Sequence, residues 1–161
     1  MKIEDDASTE ADDETPTRAA IAAHEAGHAV AAWALSCPVE RMWIEGDGGG
    51  ISIDATGLSW TDQVAVCRAG ACGTEILGIF APSWMARRDQ KEVMCKILVG
   101  LSDREVEDRL RRGGVRAYQF LEANRTLLKK VADALEQAGT LDGAEFSRLA
   151  AKYGATPFAP V

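Results

Sequence analysis

The sequence predicts a mainly α-helical α+β domain with a small β-hairpin or sheet beside its first helix. Three observations carry that prediction. From Arg18 to Leu35 the chain is an almost unbroken run of Ala, Ile, Val, Leu and Trp, which reads as a buried helix. Two short runs, Val39 to Ile44 and Ile51 to Ala55, flank a glycine-rich turn and read as strands of a hairpin. Beyond them the chain carries helix caps and helical spacing, with Phe120, Leu121, Leu127, Leu128, Val131 and Leu135 on one stripe. At 161 residues it is long enough for one domain with a real core.

The elements follow in order. Thr15-Pro16 supplies an N-cap and a proline at the first helical position, and Cys37-Pro38 ends the first helix. Gly46-Asp47-Gly48-Gly49-Gly50 is the hairpin turn. Thr61 caps a second helix from Asp62 to about Phe80, whose Ala and Gly content lets another helix approach closely. Pro82-Ser83 breaks the chain before a helix from about Trp84 to Val99. Ser102 caps a charged helix ending near Gly113-Gly114, and an amphipathic helix runs from Val115 to Ala138. Gly139 ends it, and Asp142 caps a last short helix from Gly143 to Lys152.

The net charge of −7 is unevenly placed, because residues 1–17 hold seven acids against Lys2 and almost no apolar side chains. Those residues are expected to form a disordered acidic tail, 18–153 the domain, and 154–161 a C-terminal tail. Cys37, Cys67, Cys72 and Cys95 show no CxxC spacing and no secretory leader precedes them, which suits reduced thiols in a cytoplasmic protein. Cys67 and Cys72 fall on different helix faces, which argues against a second metal site. No apolar run approaches the ~20 residues that cross a bilayer, so no membrane partner is expected. The basic clusters Arg87-Arg88-Lys91 and Arg109-Arg111-Arg112 alternate with acids and lack interleaved aromatics, and Gly48-Gly49-Gly50 leads into a strand without a following Lys-Ser/Thr. Neither nucleic acid nor a phosphate loop is indicated.

The two histidines of the chain, His24 and His28, stand four apart with Glu25 directly after the first. On a helix, positions i and i+4 share a face, so both imidazoles can reach one Zn²⁺ ion. Glu25, about 100° round the helix, can serve a water there without being a ligand. Burying two histidines and a carboxylate without such a partner would be costly. A catalytic zinc takes three protein ligands, and with no histidine left the third must be Asp, Glu or Cys. Glu75, Asp89, Glu92 and Asp54 all qualify on composition.

Four segments resemble the zinc-peptidase domain of FtsH-type ATP-dependent proteases, over about residues 18–150 and in that family's order. They are His24-Glu25-Ala26-Gly27-His28-Ala29-Val30 with the strand Pro38 to Ile44; Gly70 to Gly78; Ala86-Arg87-Arg88-Asp89; and Leu121 to Arg125 with Leu141 to Phe146. The resemblance implies a helical zincin-like peptidase fold, Zn²⁺ as cofactor, His24, His28 and Asp89 as ligands, and Glu25 as general base. It also implies that Glu75 lies near the metal and orients a histidine, and that Ile51, Ser52 and Ile53 are the strand that binds substrate. Peptides or unfolded protein segments are the implied substrates.

The chain departs from the family in three ways. It shows no ATPase module or membrane anchor, so a separate ATPase or adaptor is the expected means of handling folded substrates, and the family's ring suggests a homo-oligomer. Trp84-Met85 and Arg87-Arg88 replace the family's Thr-Gly and Ser-Asn around Asp89. The connection from hairpin to second helix is short. A catalytically inactive relative serving as a regulatory or partner-binding module is the alternative, against which Glu25 argues, since such a module has no chemical need of it.

Overall fold

The computed structural model describes residues 14–155. Most of the expected acidic tail, residues 1–13, and of the C-terminal tail, residues 156–161, lies outside the described residues. Helix α1 (Arg18–Ala34) is buried on nearly every face, as a helix apolar almost all round must be, and everything else is arranged around it. Its cap is Thr17, whose hydroxyl accepts from the Ala20 N–H, so Thr15-Pro16 stands just ahead of the cap and does not form it. The helix closes with Ser36 in a left-handed conformation (φ 60°), where Ser36 N–H bonds Trp33 and Cys37 N–H bonds Ala32.

Strands β1 (Val39–Glu45) and β2 (Gly48–Ile53) pair antiparallel around a two-residue turn at Gly46-Asp47. The turn is shorter than the five-residue one expected, because Gly48, Gly49 and Gly50 belong to the strand, opposite Glu45, Ile44 and Trp43. Close approach explains them: a Cβ on Gly50 would lie 2.4 Å from the Trp43 ring, and one on Gly49 would meet Ile21 and Glu25 of α1. A third strand, β3 (Thr140–Asp142), pairs with the other side of β1, giving the order β2-β1-β3 and leaving β2 as an edge.

Helix α2 (Trp60–Ile76) starts at a Ser59 cap, ahead of the expected Thr61, and stops short of Phe80. It meets α1 backbone to backbone, since a Cβ on Gly27 would lie 2.1 Å from the Ala69 carbonyl oxygen and one on Gly73 would lie 2.8 Å from that of Ala23. Helix α3 (Ser83–Lys96) follows Pro82 and packs mainly on α2, with Met85 and Val93 as its buried residues. Helix α4 (Asp103–Ala123), opened by a Ser102/Glu105 capping box, runs straight through Gly113-Gly114, where a helix end was expected. Gly113 serves contact with α2 instead, because a Cβ there would lie 2.2 Å from Val64. The break comes at Asn124, whose side chain bonds Phe120 O and Ala155 N–H.

Helix α5 (Arg125–Ala138) places Leu127, Leu128, Val131 and Leu135 against α1, and Gly139 (φ 77°) ends it. Helix α6 (Gly143–Tyr153), capped by Asp142 with Glu145, adds Phe146 to the core. Two long-range contacts tie helix ends to distant elements. Arg18 donates to Glu136 O at the end of α5, and Arg125 donates to Ile76 O at the end of α2.

Candidate metal centre

Helix α1 carries His24, Glu25 and His28 at 1%, 2% and 8% exposure, and places both imidazoles toward α2 and α3. Asp89, from the middle of α3, closes the group. Its Oδ2 lies 2.7 Å from His24 Nε2 and 3.1 Å from His28 Nε2. The three donor atoms lie within 4.8 Å of one another, and this is the metal-capable cluster found among the described residues. Gly70 of α2 makes room for it, since a Cβ there would lie 2.5 Å from each Nε2.

Whether a cation fits can be read from the hydrogen bonds. The Val66 carbonyl has only lone pairs to offer, and it sits 2.7 Å from His28 Nδ1, so that nitrogen must be the protonated one. A neutral His28 then turns the Nε2 lone pair toward a carboxylate oxygen that also carries only lone pairs. A positive charge between them resolves the conflict, either a proton on Nε2 or a metal ion. The electrostatics agree. Burial alone would lower the His28 pKa, but the hydrogen bond and charge of Asp89, with Glu25 and Val66, raise it to about 9. Burial opposes ionisation of Asp89 too, yet the two histidines hold its carboxyl well below the usual range. Two imidazole nitrogens and one carboxylate oxygen are also a donor set that suits a divalent transition metal with a position left open.

The other site residues proposed from sequence fall as follows. Glu25 lines the cavity beside the cluster, with its stem under Gly49. Glu75 is not brought to either histidine: it is exposed on α2 and hydrogen-bonds Tyr118, whose pKa it raises after burial does. His28 is oriented by a backbone carbonyl instead, and His24 Nδ1 is buried with no hydrogen-bond partner among the described residues. Glu92 pairs with Lys96 and Asp54 bonds its neighbour Thr56, so neither competes with Asp89 for the cluster.

Ile51 and Ile53 line a cavity of about 600 Å³ that opens from the cluster along β2. Ser52, between them, faces the opposite side of the sheet and donates to Glu40, as the alternation of a strand requires. Cys67 has a role the sequence did not suggest. Its thiol donates to the Asp89 backbone carbonyl at 3.1 Å, and burial first, then nearby carboxylates, push its pKa up to about 12, which keeps it a donor. It makes no pair with Cys72, and all four cysteines are free.

A family model described as Peptidase M50B-like matches residues 14–102, the span from the α1 cap past the end of α3. The three cluster residues, His24, His28 and Asp89, and Glu25 beside them fall inside it. No curated protein matches the sequence.

Proposed function

The chain belongs to the Peptidase M50B-like family, and from that premise we propose that it is a zinc-dependent endopeptidase acting on peptides or unfolded protein segments. The observation that carries the reading is the convergence of His24, His28 and Asp89 on one point, with Glu25 beside it and an edge strand along the same cavity. His24 Nε2, His28 Nε2 and Asp89 Oδ2 would hold the zinc. Zinc bound there would polarise a scissile carbonyl and lower the pKa of water from about 15.7 to roughly 7.

The chain's own groups do the rest. The free edge of β2 offers backbone N–H and C=O groups to an extended substrate. Gly48 to Gly50 let that substrate lie close to the strand, with Ile51 and Ile53 beneath its side chains. Glu25, next to the ligands but outside the ligand cluster, takes the proton of the attacking water and returns it to the leaving amine. The Val66 carbonyl fixes the His28 tautomer, and Cys67 steadies the backbone of Asp89.

The family match and the motif resemblance agree on a metallopeptidase and differ on its type. The FtsH type is part of this proposal, supported by Asp89 standing where that family has its third ligand and by the Asp142 cap and Asn124 break in the C-terminal segments. A separate ATPase or adaptor would be needed for folded substrates.

Elemental analysis of the purified chain beside Asp89→Ala tests the centre. One zinc per chain, lost or much weakened in the variant, is the expected result. Casein or a peptide library then tests the activity. Zinc without cleavage would overturn the enzyme reading in favour of a regulatory module, and no zinc after reconstitution would overturn the metal centre itself.

A further inference from the structure

The cavity wall carries a cation that the proposed reaction does not use and that stands apart from the Glu92–Lys96 pair beside it. Arg88 leaves α3 one residue before Asp89 and is exposed on the cavity wall. Its guanidinium reaches to the start of β2, with one terminal nitrogen 3.8 Å from where a Cβ on Gly48 would sit. Because Gly48, Gly49 and Gly50 have no side chains, the strand presents only backbone opposite it. Its aromatic contact is Trp84, 5.7 Å from guanidinium to ring centre, and no carboxylate among the described residues pairs with it. The other cation on that wall, Lys96, is held by Glu92 at 2.6 Å.

The acids are placed differently. Asp89 faces the histidines, and Glu25 lies under Gly49. Asp54 follows the other end of β2, about 20 Å from Gly48 along an extended chain. Glu45, opposite Gly48, and Asp47, just before it, are exposed at the hairpin turn and do not line the cavity, so an extended peptide laid on the β2 edge within the cavity meets a cation at the Gly48 end and an anion at the Ile53 end. Since Gly49 overlies Glu25, the Gly48 end is also the end nearest the proposed chemistry.

We propose that Arg88 is a specificity-determining residue, and that the cleft selects peptides with an acidic side chain within one or two residues of the scissile bond, at the Gly48 end of the bound strand. The proposal rests on reading β2 as the substrate edge. The planar guanidinium suits a carboxylate, which it can grip with two parallel hydrogen bonds. Arg88 is solvent-exposed, so the gain is moderate and screened by salt. A contact made equally in the bound substrate and the transition state shows in KM and leaves kcat unchanged.

The test uses paired peptides that differ only by Glu or Gln, with the pair walked across each position around a cleavable bond. Binding is read by fluorescence anisotropy on the zinc-loaded Glu25→Gln chain, alone and combined with Arg88→Ala, Arg88→Lys and Arg88→Glu. Cleavage of the same peptides is read on chains that keep Glu25. At one position the Glu peptide is expected to bind about three- to tenfold more tightly. The preference should vanish in Arg88→Ala, persist in part in Arg88→Lys, and turn toward Lys in Arg88→Glu. Equal binding at every position, or a preference that survives Arg88→Ala, overturns the proposal. Discrimination without cleavage would overturn the peptidase reading and leave Arg88 in its role; cleavage without discrimination would do the reverse. No binding of any peptide would overturn both.

Discussion

His28 shows how a single backbone carbonyl can prepare a ligand: Nδ1–H donates to Val66 O, and Nε2 is left facing the centre. Gly70 does comparable work by having no side chain. Gly70→Ala would put a methyl 2.5 Å from both Nε2 atoms, deep in a contact between buried helices where the rings have little room to yield. At least a tenfold loss of zinc affinity is expected, read by titration against a chromophoric chelator, with circular dichroism showing that the helices persist. Zinc held as tightly as in the wild type would show that the rings are not fixed in place. Glu25→Gln makes a different demand. The amide keeps the shape and cannot take a proton, so zinc should stay bound while peptide cleavage falls by about a hundred- to ten-thousand-fold. Cleavage at an undiminished rate would remove Glu25 as the base.

Helix ends and close contacts account for most of the difference between what the sequence foretold and what the chain does. The all-apolar run, the Ser102 and Asp142 caps and the Leu127 to Leu135 stripe were legible because each acts locally, through a cap or a 3.6-residue period. Gly113-Gly114 and Gly48 to Gly50 misled because glycine serves both as a breaker and as the residue that lets two backbones meet, and only tertiary contact tells which. Strand β3 spans three residues, too few for any period to show. The same limit applies at the metal centre. His24, Glu25 and His28 share one helix and declare themselves, whereas Asp89 arrives from another helix and needed the family resemblance, and a carbonyl such as that of Val66 has no side-chain signal at all. One local feature still leads to a stability prediction. Ser36 ends α1 in the left-handed region, exposed and therefore free to change. Glycine would relieve about 1–2 kcal/mol of strain, less about 0.5–1 kcal/mol for its greater freedom when unfolded, so Ser36→Gly should gain roughly 0.5–1 kcal/mol in denaturant melts. A loss of stability would mean that the serine side chain makes a contact worth more than the strain.

The proposed metal would join the most deeply buried helix to one of the most loosely held. Helix α1 is enclosed by α2, α5 and the sheet, so its opening requires the core to open. Helix α3 rests mainly on α2, buries Met85 and Val93, and is tied down by contacts that include Trp84 to Glu14 O, Cys67 to the Asp89 carbonyl, and Asp89 to the two histidines. Only the last of these reaches α1. A cation shared by His24, His28 and Asp89 turns that contact into a coordinate link, and any ligand that prefers the folded state adds about 2.7 kcal/mol at a hundred times its dissociation constant. The gain should not spread evenly. Buried amides of α1 and α5 are expected to exchange only by the largest openings and those of α3 by local ones, so zinc should slow hydrogen exchange chiefly across residues 83–96. In Asp89→Ala the same zinc concentration should leave exchange in α3 as it is without metal, because the ion is then held by α1 alone. If exchange across 83–96 is the same with and without zinc in the wild type, the third ligand is not Asp89, and the acidic partner of His24 and His28 must be sought elsewhere in the chain.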